Sequence, residues 1–116
     1  MIDANAATAF AKEWIEAWSA HDLDRILSHY ASGIVLLSPI AQRRVGNGRV
    51  EGIHALRDYW SAALASQPKL KFELIETMAG YSSLTVVYSN HRGTKAAETF
   101  EFGSDNKVIR SIACYL

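Results

Sequence analysis

Cysteine is nearly absent from this chain: Cys114 stands alone among 116 residues. An internal disulfide needs two thiols, so a cross-linked secreted scaffold is excluded and a reducing, cytoplasmic setting is expected. Proline occurs twice and glycine seven times, too few for a disordered or collagen-like chain. Neither sign of charge predominates, since twelve Lys and Arg balance twelve Asp and Glu. A dedicated nucleic-acid binder carries a basic excess, so nucleic acid is not the expected partner. No apolar run approaches the length of a membrane span, and no membrane association is expected. The stretch Met1–Ala7 has no basic segment, and Lys12, Glu13 and Glu16 interrupt the apolar residues beyond it. It reads as the start of a helix, not a secretion signal. The four histidines show no His-x-x-x-His spacing, one cysteine cannot build a thiolate site, and Gly46-Asn47-Gly48 lacks the pattern of a phosphate cradle. No metal and no cofactor is therefore expected.

What remains is an ordinary globular composition, 49% apolar and 21% charged, long enough for one domain over residues 1–116. Apolar residues Ala7, Phe10, Ala11, Trp14, Ile15 and Trp18 fall on one stripe, which predicts a helix over 6–20. Asp3 or Asn5 suits its start. Asp22 suits the cap of a short second helix carrying Leu23, Ile26, Leu27 and Tyr30. Ile34–Leu37 reads as a strand closed by Ser38-Pro39, and 43–49 as a loop or hairpin. A third helix is predicted over 53–66, with Ile53, Leu56, Trp60 and Leu64 facing inward. Strand patterns then cover 70–78, 84–89, 95–102 and 108–115, separated by hairpin-like turns. Helices first and mainly antiparallel strands last make an α+β fold whose helices cover one face of the sheet.

That order resembles the nuclear transport factor 2-like superfamily. The likeness is carried by Trp18-Ser19-Ala20-His21-Asp22-Leu23-Asp24-Arg25-Ile26 between the first helices and by Tyr30-Ala31 and Ile34–Pro39 at the first strand. It continues in Arg49-Val50-Glu51-Gly52-Ile53-His54-Ala55-Leu56-Arg57-Asp58-Tyr59-Trp60 at a short strand, a glycine and the third helix. The resemblance covers nearly the whole chain. It implies a conical barrel, a curved antiparallel or mixed sheet wrapped around three N-terminal helices, with a pocket for a small molecule and dimerisation through the sheet. It also implies a polyketide cyclase-like or ketosteroid isomerase-like branch without the isomerase base. By that likeness the isomerase tyrosine falls at Trp14, the aspartate base at Ser38 and the protonated second acid at Glu98. Serine is far too weak a base to replace a carboxylate, and an indole offers only an N–H where a phenol would stand. No Asp or His matches the acid/base of the related cyclases, and no Asp–Arg–Asp cluster can be placed.

Glu98 is the candidate catalytic residue. Strand alternation puts it on one face with Phe100 and Phe102. Buried there, its carboxyl would be suited to acid/base work; at a strand end, it would simply reach water. The expected pocket lining is Trp14, Trp18, Tyr30, Ser38, Tyr59, Trp60, Phe100 and Phe102, which fits a small apolar or aromatic molecule. The alternative for the tryptophans is ordinary core packing, and for Ser38 a bond to its own backbone. His54 and Asp58 share a helix face and could pair in solvent. Arg43, Arg44 and Arg49 could draw an anion to the pocket mouth or touch nucleic acid, but balanced charge favours a solvated loop. Cys114 reads as small buried packing. Apolar residues fall on both faces of the last strands, with Tyr115, Ile109, Ser111 and Ala113 on one face. A homodimer is expected. Two functions remain open: a cyclase-, isomerase- or dehydratase-like acid/base enzyme, or a non-catalytic binder of apolar ligands acting as a dimeric interaction module.

Overall fold

A computed structural model describes residues 2–116. Helix α1 (Ala4–Ser19) starts where Asp3 Oδ1 accepts from the Ala6 N–H at 2.7 Å. Alanines 7, 11 and 17 lie fully buried along it beside Trp14 and Trp18. The next helix, α2 (Leu23–Leu27), is capped as its sequence predicts, with Asp22 Oδ1 accepting from Arg25 N. Glu13 of α1 holds both Arg25 and His29, tying the two helices together.

The chain then runs through β1 (Tyr30–Leu37), α3 (Pro39–Val45), β2 (Arg49–Glu51) and α4 (Ile53–Ser66). Helix α3 lies where the sequence reading placed a strand stop and a loop. Ser38 Oγ accepts from Ile40 N and Ala41 N, Pro39 sits in the first turn, and Gly46 at φ +77° ends the helix. A proline whose missing N–H is not needed, preceded by a capping serine, is a helix start. Among the described residues four helices therefore stand where three were expected.

Strands β3 (Glu73–Gly80), β4 (Ser83–Ser89), β5 (Lys95–Phe102) and β6 (Val108–Tyr115) complete one six-stranded sheet in the order β2-β1-β6-β5-β4-β3. The β1–β6 pair is parallel and the other pairs are antiparallel. The expected barrel does not form. The two ends of the sheet, β2 and β3, do not pair with each other, so the α+β sheet stays open. Instead α1 packs against β3 and α4 against β1 and β2, so the helices cover one face of the open sheet. Irregularities between Tyr30 and Val35, Leu74 and Glu76, and Glu101 and Phe102 bend the strands around them.

The last irregularity changes which side chains face the helices. Glu101 pairs with Arg110 and Phe102 with Val108, leaving Ile109 as the extra residue. Val108 and Ser111 are both fully buried while Ile109 is exposed. Simple alternation had put Ile109 with Ser111. Cys114, expected as buried packing, is exposed on the opposite face from Ala113. Among the described residues, no helix is long and apolar enough to cross a membrane.

Candidate functional site

Strand register sets three rows of side chains across the helix-covered face of β4, β5 and β6. Tyr88, Ala96 and Tyr115 form one row, Val86, Glu98 and Ala113 the next, and Leu84, Phe100 and Ser111 the third. Antiparallel partners on one face stand about 5 Å apart, so each row is continuous. Ala96 and Ala113 are the small members. A cavity of about 100 Å³ opens along their side of the sheet.

The walls come from other elements. Trp14 and Trp18 reach it from α1, Trp60 and Tyr59 from α4, and Phe72 from the segment before β3. Trp14 stacks on Phe72 at 5.6 Å between centroids, and Trp18 meets Trp60 edge-on at 5.0 Å. Such pairs add about 0.5–1.5 kcal/mol each beyond the area they bury. Leu36, Ser38 and Glu98 are buried members of the lining, while Arg44, Gln67, Asn90 and Thr94 line the cavity from more exposed positions.

Glu98 is buried, with 4% of its surface exposed. Its Oε2 accepts from Ser111 Oγ at 2.7 Å. Among the described residues no donor reaches Oε1. Burial pushes the carboxyl up to about 7, and the Ser111 hydrogen bond offsets part of that rise. Tyr30, Tyr59, Tyr88 and Tyr115 all feel the Glu98 charge. Burial is the first cause holding each phenol above its ordinary value, so all four stay protonated where Glu98 titrates. The site thus combines one acid that exchanges its proton near neutrality with several neutral hydroxyls.

The expected lining divides in two. Trp14, Trp18, Ser38, Tyr59, Trp60 and Glu98 meet at the cavity. Tyr30, Phe100 and Phe102 do not line it. Tyr30 is buried behind Trp14, its hydroxyl accepting the indole N–H at 2.9 Å. Phe100 packs into Trp14 and Phe10, and Phe102 onto Phe10. Alternation fixes the face of a strand, but Glu98 lies at the cavity end of that face and the two phenylalanines at the packed end.

The Trp14 donor is consequently spent inside the protein, and the ring contributes only its apolar surface. Ser38 Oγ accepts two backbone N–H bonds, and its hydroxyl faces those of Tyr59 and Tyr115. Trp18 Nε1 is buried with no hydrogen-bond partner. His54 and Asp58 are both exposed, and Asp24 takes Arg57 in an ion pair instead. Among the described residues, no group of three His, Cys, Asp or Glu is placed to hold a metal ion. Sequence reasoning missed Ser111, Tyr88, Tyr115 and Phe72. For Ser111 the signal was present, a serine on the same strand face as Ala113.

The model of the SnoaL-like domain family matches residues 11–111. The chain is similar to a SnoaL-like protein of unknown function from Burkholderia thailandensis, with 43% identity over 99% of this chain and 98% of that one and a TM-score of 0.96. It shares its fold with SalBIII, an epoxide hydrolase/cyclase-like enzyme of pyran ring formation in the polyether salinomycin. That match has 17% identity over 100% and 95% of the two chains, with a TM-score of 0.76. An NTF2-like protein of unknown function from Cytophaga hutchinsonii matches at 11% identity over 100% and 92%, with a TM-score of 0.72. No curated protein matches the sequence.

Proposed function

The chain belongs to the SnoaL-like domain family, within the nuclear transport factor 2-like superfamily, and on that premise we propose that its cavity binds a small apolar or aromatic molecule on which Glu98 acts as the acid/base group. One observation carries this reading: a buried carboxyl with one oxygen held by Ser111 and the other unpartnered, lining a cavity walled by tryptophans. An acid that titrates near 7 is matched to proton transfer at neutral pH. Its carboxylate takes a proton from a carbon next to the ligand's carbonyl through Oε1, and the acid so formed returns that proton at another atom of the same ligand. A hydroxyl of Ser38, Tyr59 or Tyr115 is available to donate to the carbonyl oxygen. The step is an isomerase- or cyclase-type rearrangement that needs no cofactor.

A second reading, a non-catalytic binder, draws on Ser38. The position that the isomerase resemblance gives to a base serves here as the cap of α3. For assembly we propose a homodimer through the outer face of the sheet, where Ile75, Met78 and Ile109 are exposed. An exposed thiol at Cys114 fits a reducing, cytoplasmic setting.

The test is a carboxyl-carbon NMR titration of Glu98 together with a carbonyl and epoxide substrate panel run on the protein and on Glu98→Gln. A midpoint near 7, with turnover falling about a hundredfold or more in the variant, supports the enzyme. A midpoint in the ordinary glutamate range overturns it, and ligand binding without turnover by either protein leaves the binder.

A further inference from the structure

We propose that the ligand is an amphipathic organic acid, its apolar or aromatic body among the tryptophans and its anionic end at Arg44 on the cavity rim. This inference rests on the cavity being the ligand site and adds the chemical class that it takes.

Arg44 lies in the last turn of α3 and lines the cavity from an exposed position. It is tethered: Nη1 donates to Ser66 Oγ at 3.0 Å, and that hydroxyl donates in turn to the Ala63 carbonyl at 3.0 Å. One edge of the guanidinium is thus fixed to the end of α4, and its other N–H groups remain free. Arg25, Arg49, Arg57 and Arg110 each pair with a carboxylate, and of the other arginines, Arg43, Arg44 and Arg92, Arg44 is the one that lines the cavity. Among the described residues, no carboxylate oxygen lies within 4 Å of Arg44. A held cation without a counter-ion at a cavity mouth is a ready partner for a carboxylate.

The turn between β4 and β5 points the same way. Asn90 Oδ1 accepts from both Arg92 N at 2.9 Å and Thr94 N at 3.0 Å. Its carbonyl is used up, so the amide NH₂ is the free end, and Asn90 lines the same cavity. The rim therefore offers donors and a positive charge. The one carboxyl of the lining, Glu98, is buried, so the charges divide between an exposed cation and a buried acid. A ligand with an anion at one end and a carbonyl at the other satisfies both without burying its charge.

Trp14, Trp18 and Trp60 line the cavity, so tryptophan emission reports occupancy directly. The probes are 3-phenylpropanoate and its neutral amide, 3-phenylpropanamide, titrated in low salt at about pH 6, where Glu98 mostly keeps its proton. The acid is expected to bind about threefold to fivefold tighter than the amide. Arg44→Gln should lower the acid's affinity to the amide's level. Equal affinities, a preference that survives Arg44→Gln, or no binding of either probe overturns the inference. Equal affinities would leave the Glu98 reading standing, because that is decided by the carboxyl titration and by Glu98→Gln.

Discussion

Ser111 donates its hydroxyl proton to Glu98 from the neighbouring strand, Oγ to Oε2 at 2.7 Å, with both side chains buried. Glu98 faces Ala113 directly, so Ser111 is its diagonal neighbour, two residues back along β6. The bulge at Ile109 keeps both Val108 and Ser111 inward. The hydrogen bond favours the carboxylate and opposes burial, which favours the acid. Ser111→Ala removes the weaker of these two influences. The midpoint of Glu98 should rise above that of the parent, and the alkaline shift of any pH–rate profile should follow it. The fold should lose about 1 kcal/mol with the bond. An unchanged midpoint in a folded variant would show that Ser111 only fills space.

The raised carboxyl also makes stability depend on pH with a definite sign. Between the ordinary value of 4.5 and about 7 the folded state keeps a proton that the unfolded chain has released. Stability is therefore fully present below that window and declines as pH rises through it, by about 3 kcal/mol in total. The groups facing Glu98 do not blur this, because Ser111 does not titrate and Tyr30, Tyr59, Tyr88 and Tyr115 remain neutral throughout. Glu98→Gln keeps an oxygen for Ser111 and removes the titration. Urea unfolding at several pH values should show the parent losing ground to this variant as the medium becomes neutral. Parallel curves would mean that water reaches the carboxyl.

Much of this arrangement was legible in the residues. Helical stripes placed Trp14, Trp18 and Trp60 inward, and Asp22 announced its cap. Alternation placed Glu98 with Phe100. What stayed hidden depends on contacts distant in sequence. Whether a strand residue meets cavity or packed core is decided by the helix above it, as Phe100 beneath Trp14 and Phe10 shows. A single extra residue at Ile109 re-aims its neighbours without marking the sequence. The openness of the sheet follows from β2 and β3 having no common register, which no local pattern encodes. Ser38-Pro39 was the one local signal with two meanings: a strand stop also reads as a helix start, and the hydrogen bonds to Ile40 and Ala41 settle it.

The cavity itself can be put to the test through Ala113. Its side chain lines the hollow beside Glu98, its cross-strand partner, on a strand where a β-branched residue suits the backbone. In a packed core, adding two methyl groups there would force neighbours aside and cost about 1–3 kcal/mol. At the edge of an empty hollow the same groups find room and bury apolar surface. Ala113→Val should therefore keep or raise the unfolding free energy, by up to about 1 kcal/mol. It should also weaken binding of 3-phenylpropanoate by about tenfold or more through lost volume. A protein that tolerates the larger side chain in stability yet loses its ligand has kept alanine there for the space it leaves. A clear destabilisation with binding unaffected would place the ligand elsewhere.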